Sequence, residues 1–193
     1  FRKKMESAKR LACLGLDDYV PFLIDQMPRP GCLADVCAGT GILLKHIAAA
    51  GSDSVTSLAA VEISEHCLTH LSSLSLSLPL SVVEAGQASP NLTPAHNVCL
   101  AVCLSSLHVI PAESRQEYLS SLVSSMPSGG RVVITDFDPS FVSKKTFGPA
   151  AYRRVSVETC RTLLEGAGLS VIYSRGAFPT PMWWTVVGEK REG

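Results

Sequence analysis

Two glycines that follow a short apolar segment could let a ligand approach the backbone closely. The segment ends in the run DVCAGTG, residues 35–41, and a helical pattern begins at Thr40. Gly39 and Gly41 lack a Cβ atom, so the chain can turn sharply there and a ligand can lie against it. The N-terminus of the following helix points unpaired N–H groups toward the same place. The pattern predicts a ligand-binding turn, with an ordinary strand-to-helix turn as the alternative.

An acidic side chain ends the next apolar segment. Glu62 stands 21 residues beyond Gly41. A carboxylate at the tip of the second strand is suited to bind the ribose hydroxyls of an adenosine-containing ligand. A surface glutamate is the alternative interpretation. Leu44 stands where the third glycine of a GxGxxG pattern would fall, which disfavours a nicotinamide-dependent dehydrogenase.

These residues need a framework that brings neighbouring strand ends together. Short β-type segments alternate with helical patterns at intervals of roughly 10–15 residues, which predicts parallel strands. The last two segments have no helix between them, so we expect them to pair antiparallel at one edge. The predicted strands are 32–37, 55–61, 80–84, 98–104, 131–137, 169–173 and 182–187. We therefore predict an α/β fold with a doubly wound, mostly parallel seven-stranded sheet and an antiparallel edge strand.

No linker or internal repeat divides the chain, so residues 1–193 are predicted to form one domain. A helical extension over residues 1–30 would precede a core over residues 31–188. The Ser/Leu-rich tract 72–81 is interpreted as a helix end followed by a loop. Helices are expected at 5–14, at 40–50, from 64 onward, at 112–125 and at 156–166.

Composition excludes several classes of protein. Hydrophobic residues make up 46% of the chain, which excludes disorder as the main state. Seventeen basic residues balance seventeen acidic ones, so the chain lacks the basic field that non-specific nucleic-acid binding needs. No apolar stretch approaches the roughly 20 residues of a membrane-spanning helix.

Seven cysteines are scattered along the chain and form no CxxC pair. Cys99 and Cys103 fall in one predicted strand, where residues four apart lie about 13 Å from each other. That separation is too large for a disulfide or a shared metal ion, so no metal site is expected. Free, mostly buried thiols indicate a reducing intracellular compartment, either the cytoplasm or the mitochondrial matrix.

Five motifs occur in an order that resembles class I S-adenosylmethionine-dependent methyltransferases. They are DVCAGTG, AAVEIS, VVEAGQA, VCLAVCLSSLHVIP and MPSGGRVVITDFD, and the resemblance covers residues 31–188. The small-molecule group that includes the ubiquinone and menaquinone methyltransferases is the most similar type. The resemblance implies a Rossmann-like methyltransferase fold, S-adenosylmethionine as cofactor, and methyl transfer to a small molecule or an accessible side chain.

The resemblance also implies roles for residues at matching positions. Asp35, Gly39 and Gly41 would surround the methionine moiety of the cofactor. Glu62 would bind both ribose hydroxyls, and Ile63 would pack on the adenine face. The further contacts that it implies are Gly86, Gln87 and Ala88 beside the adenine, and Cys103 and Leu104 beside the sulfonium.

Three positions depart from the pattern of that family. Cys37 stands where the cofactor turn usually has its first glycine, although it remains part of the predicted cofactor contacts. Gln87 stands where an acid contacts the adenine, and its carbonyl can still accept a hydrogen bond from the exocyclic amine. Asn97 stands where an acid often opens the fourth strand.

Methyl transfer needs a general base only when the acceptor loses a proton. His108, just beyond the fourth strand, is the candidate for that role, and a structural histidine is the alternative. Tyr152, after the fifth strand, is a second candidate. No NPPY-like or DPPY-like tetrapeptide follows the fourth strand, which argues against a nucleobase amine as acceptor.

The alternative function is a non-catalytic methyltransferase-like subunit of a larger assembly, for example an organellar one. A charged fraction of 18%, a mean hydropathy of +0.24 and Cys37 in the turn favour it. The sequence leaves open whether the chain is an active enzyme. A protein partner could bind at Trp183 and Trp184, of which one is expected to face outward, or at the basic loop from Phe141 to Arg154.

Overall fold

A computed structural model describes residues 15–138 and 155–191. The strands are β1 (Gly31–Val36), β2 (Val55–Glu62), β3 (Leu80–Glu84), β4 (Val98–Leu104), β5 (Arg131–Phe137), β6 (Leu169–Gly176) and β7 (Trp183–Lys190). They form one sheet in the order β3-β2-β1-β4-β5-β7-β6. Strands β1 to β5 pair parallel, whereas β7 pairs antiparallel with β5 and β6. The predicted doubly wound α/β sheet is confirmed. Strand β6 lies at one edge of the sheet and pairs antiparallel with β7.

Helices connect most of these strands. They are α1 (Leu16–Asp25), α2 (Ile42–Ala50), α3 (Glu65–Ser72), α4 (Arg115–Ser124) and α5 (Val157–Gly166). Helix α5 begins where the sequence predicts, because the Ser156 hydroxyl accepts a hydrogen bond from the Thr159 N–H at 3.1 Å. Within the described ranges, no helix is long and apolar enough to cross a membrane.

Helices cover both faces of the sheet. Strands β1 and β4 are buried along almost their whole length, as expected for parallel strands between two helical layers. One core lies between the sheet and helices α4 and α5. The other lies between the sheet and helices α1, α2 and α3. The inward side chains of α4 are those that the sequence predicts: Tyr118, Leu119, Leu122 and Val123.

The two adjacent tryptophans of β7 are both buried, so the expectation of an outward-facing tryptophan is wrong. Trp183 is 0% exposed and Trp184 is 1% exposed. Strand β7 lies between β5 and β6 rather than at the edge, so each face carries a helical layer. Trp183 stacks on Phe137 with ring centroids 3.8 Å apart, and Trp184 packs in the opposite core. Neither side chain is available to a partner.

A buried row of hydroxyls attaches helix α1 to the sheet. The Tyr19 hydroxyl lies 2.8 Å from Thr135 Oγ1, which lies 2.8 Å from Thr185 Oγ1. Thr185 donates to the carbonyl of Phe178 at 3.1 Å. Each hydroxyl has one proton, so the donors run from Tyr19 through Thr135 to Thr185. Helix α1 is therefore joined by a hydrogen bond to β5 and, through Thr135, to β7.

Some predictions fall outside the described residues. These are the helix at 5–14, the candidate base Tyr152 and the basic loop at 141–154. The division into a helical extension and a core stays a prediction. Among the described cysteines, the free thiols of Cys32, Cys99, Cys103 and Cys160 are buried, as expected.

Candidate functional site

The carboxyl end of β1 leads into a tight turn with left-handed backbone conformations. Cys37, Gly39 and Gly41 have φ values of 61°, 56° and 72°. The Ala38 N–H donates to the carbonyl of Val61 at 3.0 Å, which attaches the turn to β2. A left-handed conformation costs little for glycine but is strained for a residue with a Cβ atom. Cys37 therefore carries strain that a glycine would not.

The Glu62 carboxylate, at the last position of β2, contacts this turn directly. It accepts hydrogen bonds from the N–H groups of Gly39 at 2.7 Å, Ile63 at 2.8 Å and Ser64 at 3.0 Å. Glu62 is only 7% exposed. The glycine turn and the carboxylate, which the sequence places on successive strands, thus lie together at the carboxyl ends of β1 and β2.

A cleft of about 210 Å³ opens beside Glu62. Its walls come from the turn after β1, the ends of β2 and β3, the segment after β4, and helix α4. The sequence-predicted residues that line it are Cys37, Glu62, Ile63, Gly86 and Gln87. The lining residues that sequence reasoning did not assign to the site are Val61, Ala85, Val109, Ile110, Pro111 and Tyr118.

Two exposed apolar side chains stand at this cleft. Ile63 is 54% exposed and Val109 is 55% exposed. Among the described large hydrophobic side chains, only Ile172 is exposed besides these two. Exposed apolar groups gathered at one concave place are typical of a binding site for a ligand with an apolar face.

The glycines of the turn differ in what surrounds them. A Cβ atom built at Gly39 would have no other atom within 4 Å, so open space lies in front of that residue. A Cβ atom built at Gly41 would lie 2.9 Å from side-chain atoms of both Leu71 and Leu74. Gly39 thus leaves room for a ligand, whereas Gly41 allows α2 to pack closely against the segment around α3.

Burial changes the protonation of the acidic groups behind the turn. Burial, and secondarily the nearby Glu62 carboxylate, raise the pKa of Asp35 to about 8. Burial raises the pKa of Cys37 to about 12, and the carboxylates of Glu62 and Asp35 add to that rise. Cys37 is therefore a neutral thiol at physiological pH and is not an activated nucleophile.

Several residues of the predicted site lie outside the cleft lining. Asp35 and Cys103 are buried in the sheet, and Leu104 packs partly against the core on the α1 side. Ala88 is half-buried beside the cleft. Their expected contacts with a cofactor stay predictions.

His108 forms a buried pair with a carboxylate that sequence reasoning missed. His108 Nδ1 lies 3.0 Å from Asp136 Oδ2, and Asp136 is fully buried near the end of β5. The other carboxylate oxygen accepts the N–H of Phe137 at 2.8 Å. A carboxylate that accepts from Nδ1 orients the imidazole and leaves Nε2 able to take a proton. The signal for Asp136 was an acid near the end of a strand whose middle, residues 132–134, is apolar.

The fold and the site together define a methyltransferase domain. The model of a family described as a methyltransferase domain matches residues 3–174. The chain belongs to this family.

Solved structures with the same fold include proteins described as methyltransferases. A SAM-dependent methyltransferase from Aquifex aeolicus is 18% identical with a TM-score of 0.76, and the match covers 96% of this chain and 95% of that one. An S-adenosylmethionine-dependent methyltransferase from Clostridium acetobutylicum is 11% identical with a TM-score of 0.74, covering 100% and 98%. Human N-acetylserotonin methyltransferase in complex with SAM is 13% identical with a TM-score of 0.73, covering 97% and 55%. No curated protein matches the chain.

Proposed function

We propose that this chain binds S-adenosylmethionine in the cleft beside Glu62 and transfers its methyl group to a small molecule or an accessible side chain. One observation carries the proposal: the Glu62 carboxylate contacts the Gly39 N–H at 2.7 Å and lines a cleft whose rim holds the exposed Ile63. The solved neighbours support it, since two are described as S-adenosylmethionine-dependent and a third is in complex with SAM.

The residues at the cleft suit the parts of an adenosyl group. Oε2 of Glu62, which accepts the Gly39 N–H, can also accept a hydrogen bond from a ribose hydroxyl. Ile63 and Val109 offer apolar surface to the adenine ring, and the Gln87 carbonyl can accept from the exocyclic amine. The open space at Gly39 permits close approach of the ligand to the backbone.

Asp35 suits the other end of the cofactor. Its carboxyl is buried behind the turn, and its pKa near 8 is high because burial disfavours the charged form. A cationic amino group brought to the turn would favour ionisation of this carboxyl. We therefore assign Asp35 to the methionine end, where it would accept from the ammonium.

Bound S-adenosylmethionine supplies an activated methyl group on a sulfonium, so the protein chiefly has to align the acceptor and exclude water. His108 would take the proton from an acceptor that loses one, with Asp136 orienting its ring at 3.0 Å. The resemblance to ubiquinone and menaquinone methyltransferases favours a small-molecule acceptor. An amine that reacts in its neutral form would not need this base.

Binding of S-adenosylhomocysteine to Glu62→Gln tests the proposal. Wild-type protein should show a rise in melting temperature with ligand, because a ligand that binds only the folded state stabilises it by mass action. Glu62→Gln should bind at least tenfold more weakly, since one charged acceptor is lost. Glutamine is preferred to alanine, because its amide oxygen can still accept from Ile63 and Ser64 and leaves only the Gly39 N–H without its acceptor.

Glu84→Gln is the matched control. Glu84 is the register partner of Glu62 at the end of β3, but it is exposed and does not line the cleft. This variant should bind within about twofold of wild type. Absence of any melting shift at about 1 mM ligand in wild-type protein would overturn the proposal and favour a non-catalytic subunit.

A further inference from the structure

Tyr118 of helix α4 lines the cleft beside Glu62 and is 2% exposed. Its buried hydroxyl has no hydrogen-bond partner among the described residues. Five buried side-chain atoms in the described ranges lack a partner, and this hydroxyl is the only one of them that belongs to a cleft residue. The unpaired donor therefore belongs to a wall of the proposed ligand site.

A buried hydroxyl without a partner is costly, because it has lost its hydrogen bonds to water and gained none in return. The neighbours that shift the pKa of the Tyr118 phenol are also acidic or neutral groups, so none of them favours the loss of its proton. Burial raises the pKa of this phenol most, and Cys37, Cys103 and the Glu62 carboxylate raise it further. The phenol therefore keeps its proton at physiological pH and can act as a donor.

We infer that Tyr118 donates a hydrogen bond to a ring nitrogen of the adenine, so that the ligand supplies the partner that the free protein lacks. The inference rests on the proposed function, since it assumes an adenosyl ligand in this cleft. Adenine offers ring nitrogens as acceptors and an exocyclic amine as donor. The Gln87 carbonyl is suited to the amine, and Tyr118 is suited to a ring nitrogen.

The substitution Tyr118→Phe tests two parts of this inference separately: that the hydroxyl is unpaired in the free protein, and that it donates a hydrogen bond to the ligand. Without ligand, the variant should melt about 2–4 °C higher than wild type, because it removes a buried group that has no partner. With S-adenosylhomocysteine, it should bind about five- to tenfold more weakly, because the ligand loses a donor. Greater stability together with weaker binding is not expected of a residue that only packs the core.

Tyr19→Phe is the matched control. The Tyr19 hydroxyl is equally buried but is paired with Thr135 at 2.8 Å, and Tyr19 does not line the cleft. This variant should melt at a lower temperature than wild type and bind the ligand within about twofold of it. The two phenol deletions should thus change stability in opposite directions.

Ligand analogues identify the acceptor. Replacing one ring nitrogen of S-adenosylhomocysteine by carbon, as in the 1-deaza, 3-deaza and 7-deaza forms, should weaken wild-type binding five- to tenfold for one analogue. That analogue should bind Tyr118→Phe no more weakly than S-adenosylhomocysteine does. Equal ligand affinity of Tyr118→Phe and wild type, a lower melting temperature of the free variant, or additive losses with every analogue would overturn the inference alone. No binding to wild-type protein would overturn the proposed function, and this inference with it.

Discussion

Asp35 is the one carboxylic acid in β1, whose other positions are apolar or glycine. Its pKa of about 8 means that the folded protein holds a proton which an unfolded chain, with a pKa near 3.8, releases. The folded state therefore binds more protons than the unfolded state between about pH 4 and pH 8. The free energy of unfolding must fall as the pH rises through this window, by the contribution of this group.

Asp35→Asn should flatten this pH dependence, because the amide has the same shape and cannot ionise. We expect the variant to melt at a higher temperature than wild type at pH 8 and at a similar temperature near pH 3, where the wild-type carboxyl is largely protonated in both states. Melting temperatures of the free proteins across pH 3–9 would measure the effect. Parallel curves for the two proteins would show that Asp35 is ionised in the fold.

In the turn between β1 and α2, the effect of a substitution on backbone conformation can be measured separately from its effect on ligand access. Gly39 and Gly51 both have positive φ, at 56° and 60°, and a Cβ atom at either would meet no other atom within 4 Å. A residue with a Cβ atom is therefore disfavoured at both positions by backbone conformation alone, and more so at Gly51, whose ψ of 96° lies outside the left-handed helical region. They differ in location, since Gly51 lies at the far end of α2.

Gly39→Ala and Gly51→Ala should both lower the free energy of unfolding, by about 1 kcal/mol or more. Only Gly39→Ala should also weaken S-adenosylhomocysteine binding, because its methyl group would occupy the space proposed for the ligand. Chemical denaturation and ligand titration of both variants would provide the comparison. Equal ligand affinity of the two variants would mean that the ligand does not approach Gly39.

Sequence predicts the elements best where apolar segments are bounded by residues that end them. The predicted limits of β3, β4 and β5 match the structure, and the Ser/Leu-rich tract is a loop before β3 as expected. Strand β6 extends to Gly176, three residues beyond its prediction. Those residues are exposed and polar or glycine, and backbone pairing with β7 holds them in the strand whatever their side chains.

The candidate site likewise contains residues that could be predicted from the sequence and residues that could not. The turn and Glu62 could be predicted, because successive parallel strands end at one edge of a sheet. Tyr118 could not be assigned to the site, because a cleft-lining and a core-facing side chain leave the same helical pattern. Asp136 could not be paired with His108, since 28 residues separate them and only the folded sheet brings them together. The tryptophans were misjudged because strand order was unknown.

The sheet as a whole is buried at its centre and thinly covered at its margins. Strands β1, β4 and β5 are buried at nearly every position, whereas β3 is half-buried and half of β6 is exposed. Amide hydrogen exchange should therefore be slowest in the three central strands and faster in β3 and β6. Exchange followed by mass spectrometry would test this order. Protection of β3 equal to that of β1 would indicate a cover that the described residues do not provide.

Helix α1 supplies the first member of the hydroxyl row, Tyr19, and Leu23 of the same helix is fully buried beneath it. A protein that lacked this helix would leave Thr135 without its donor and would uncover Tyr173 and Phe178, whose rings contact Phe22 of the helix. The exposed aromatic surface would favour aggregation. Loss of the helix would therefore lower the solubility of the protein, even though every residue of the proposed ligand cleft would remain.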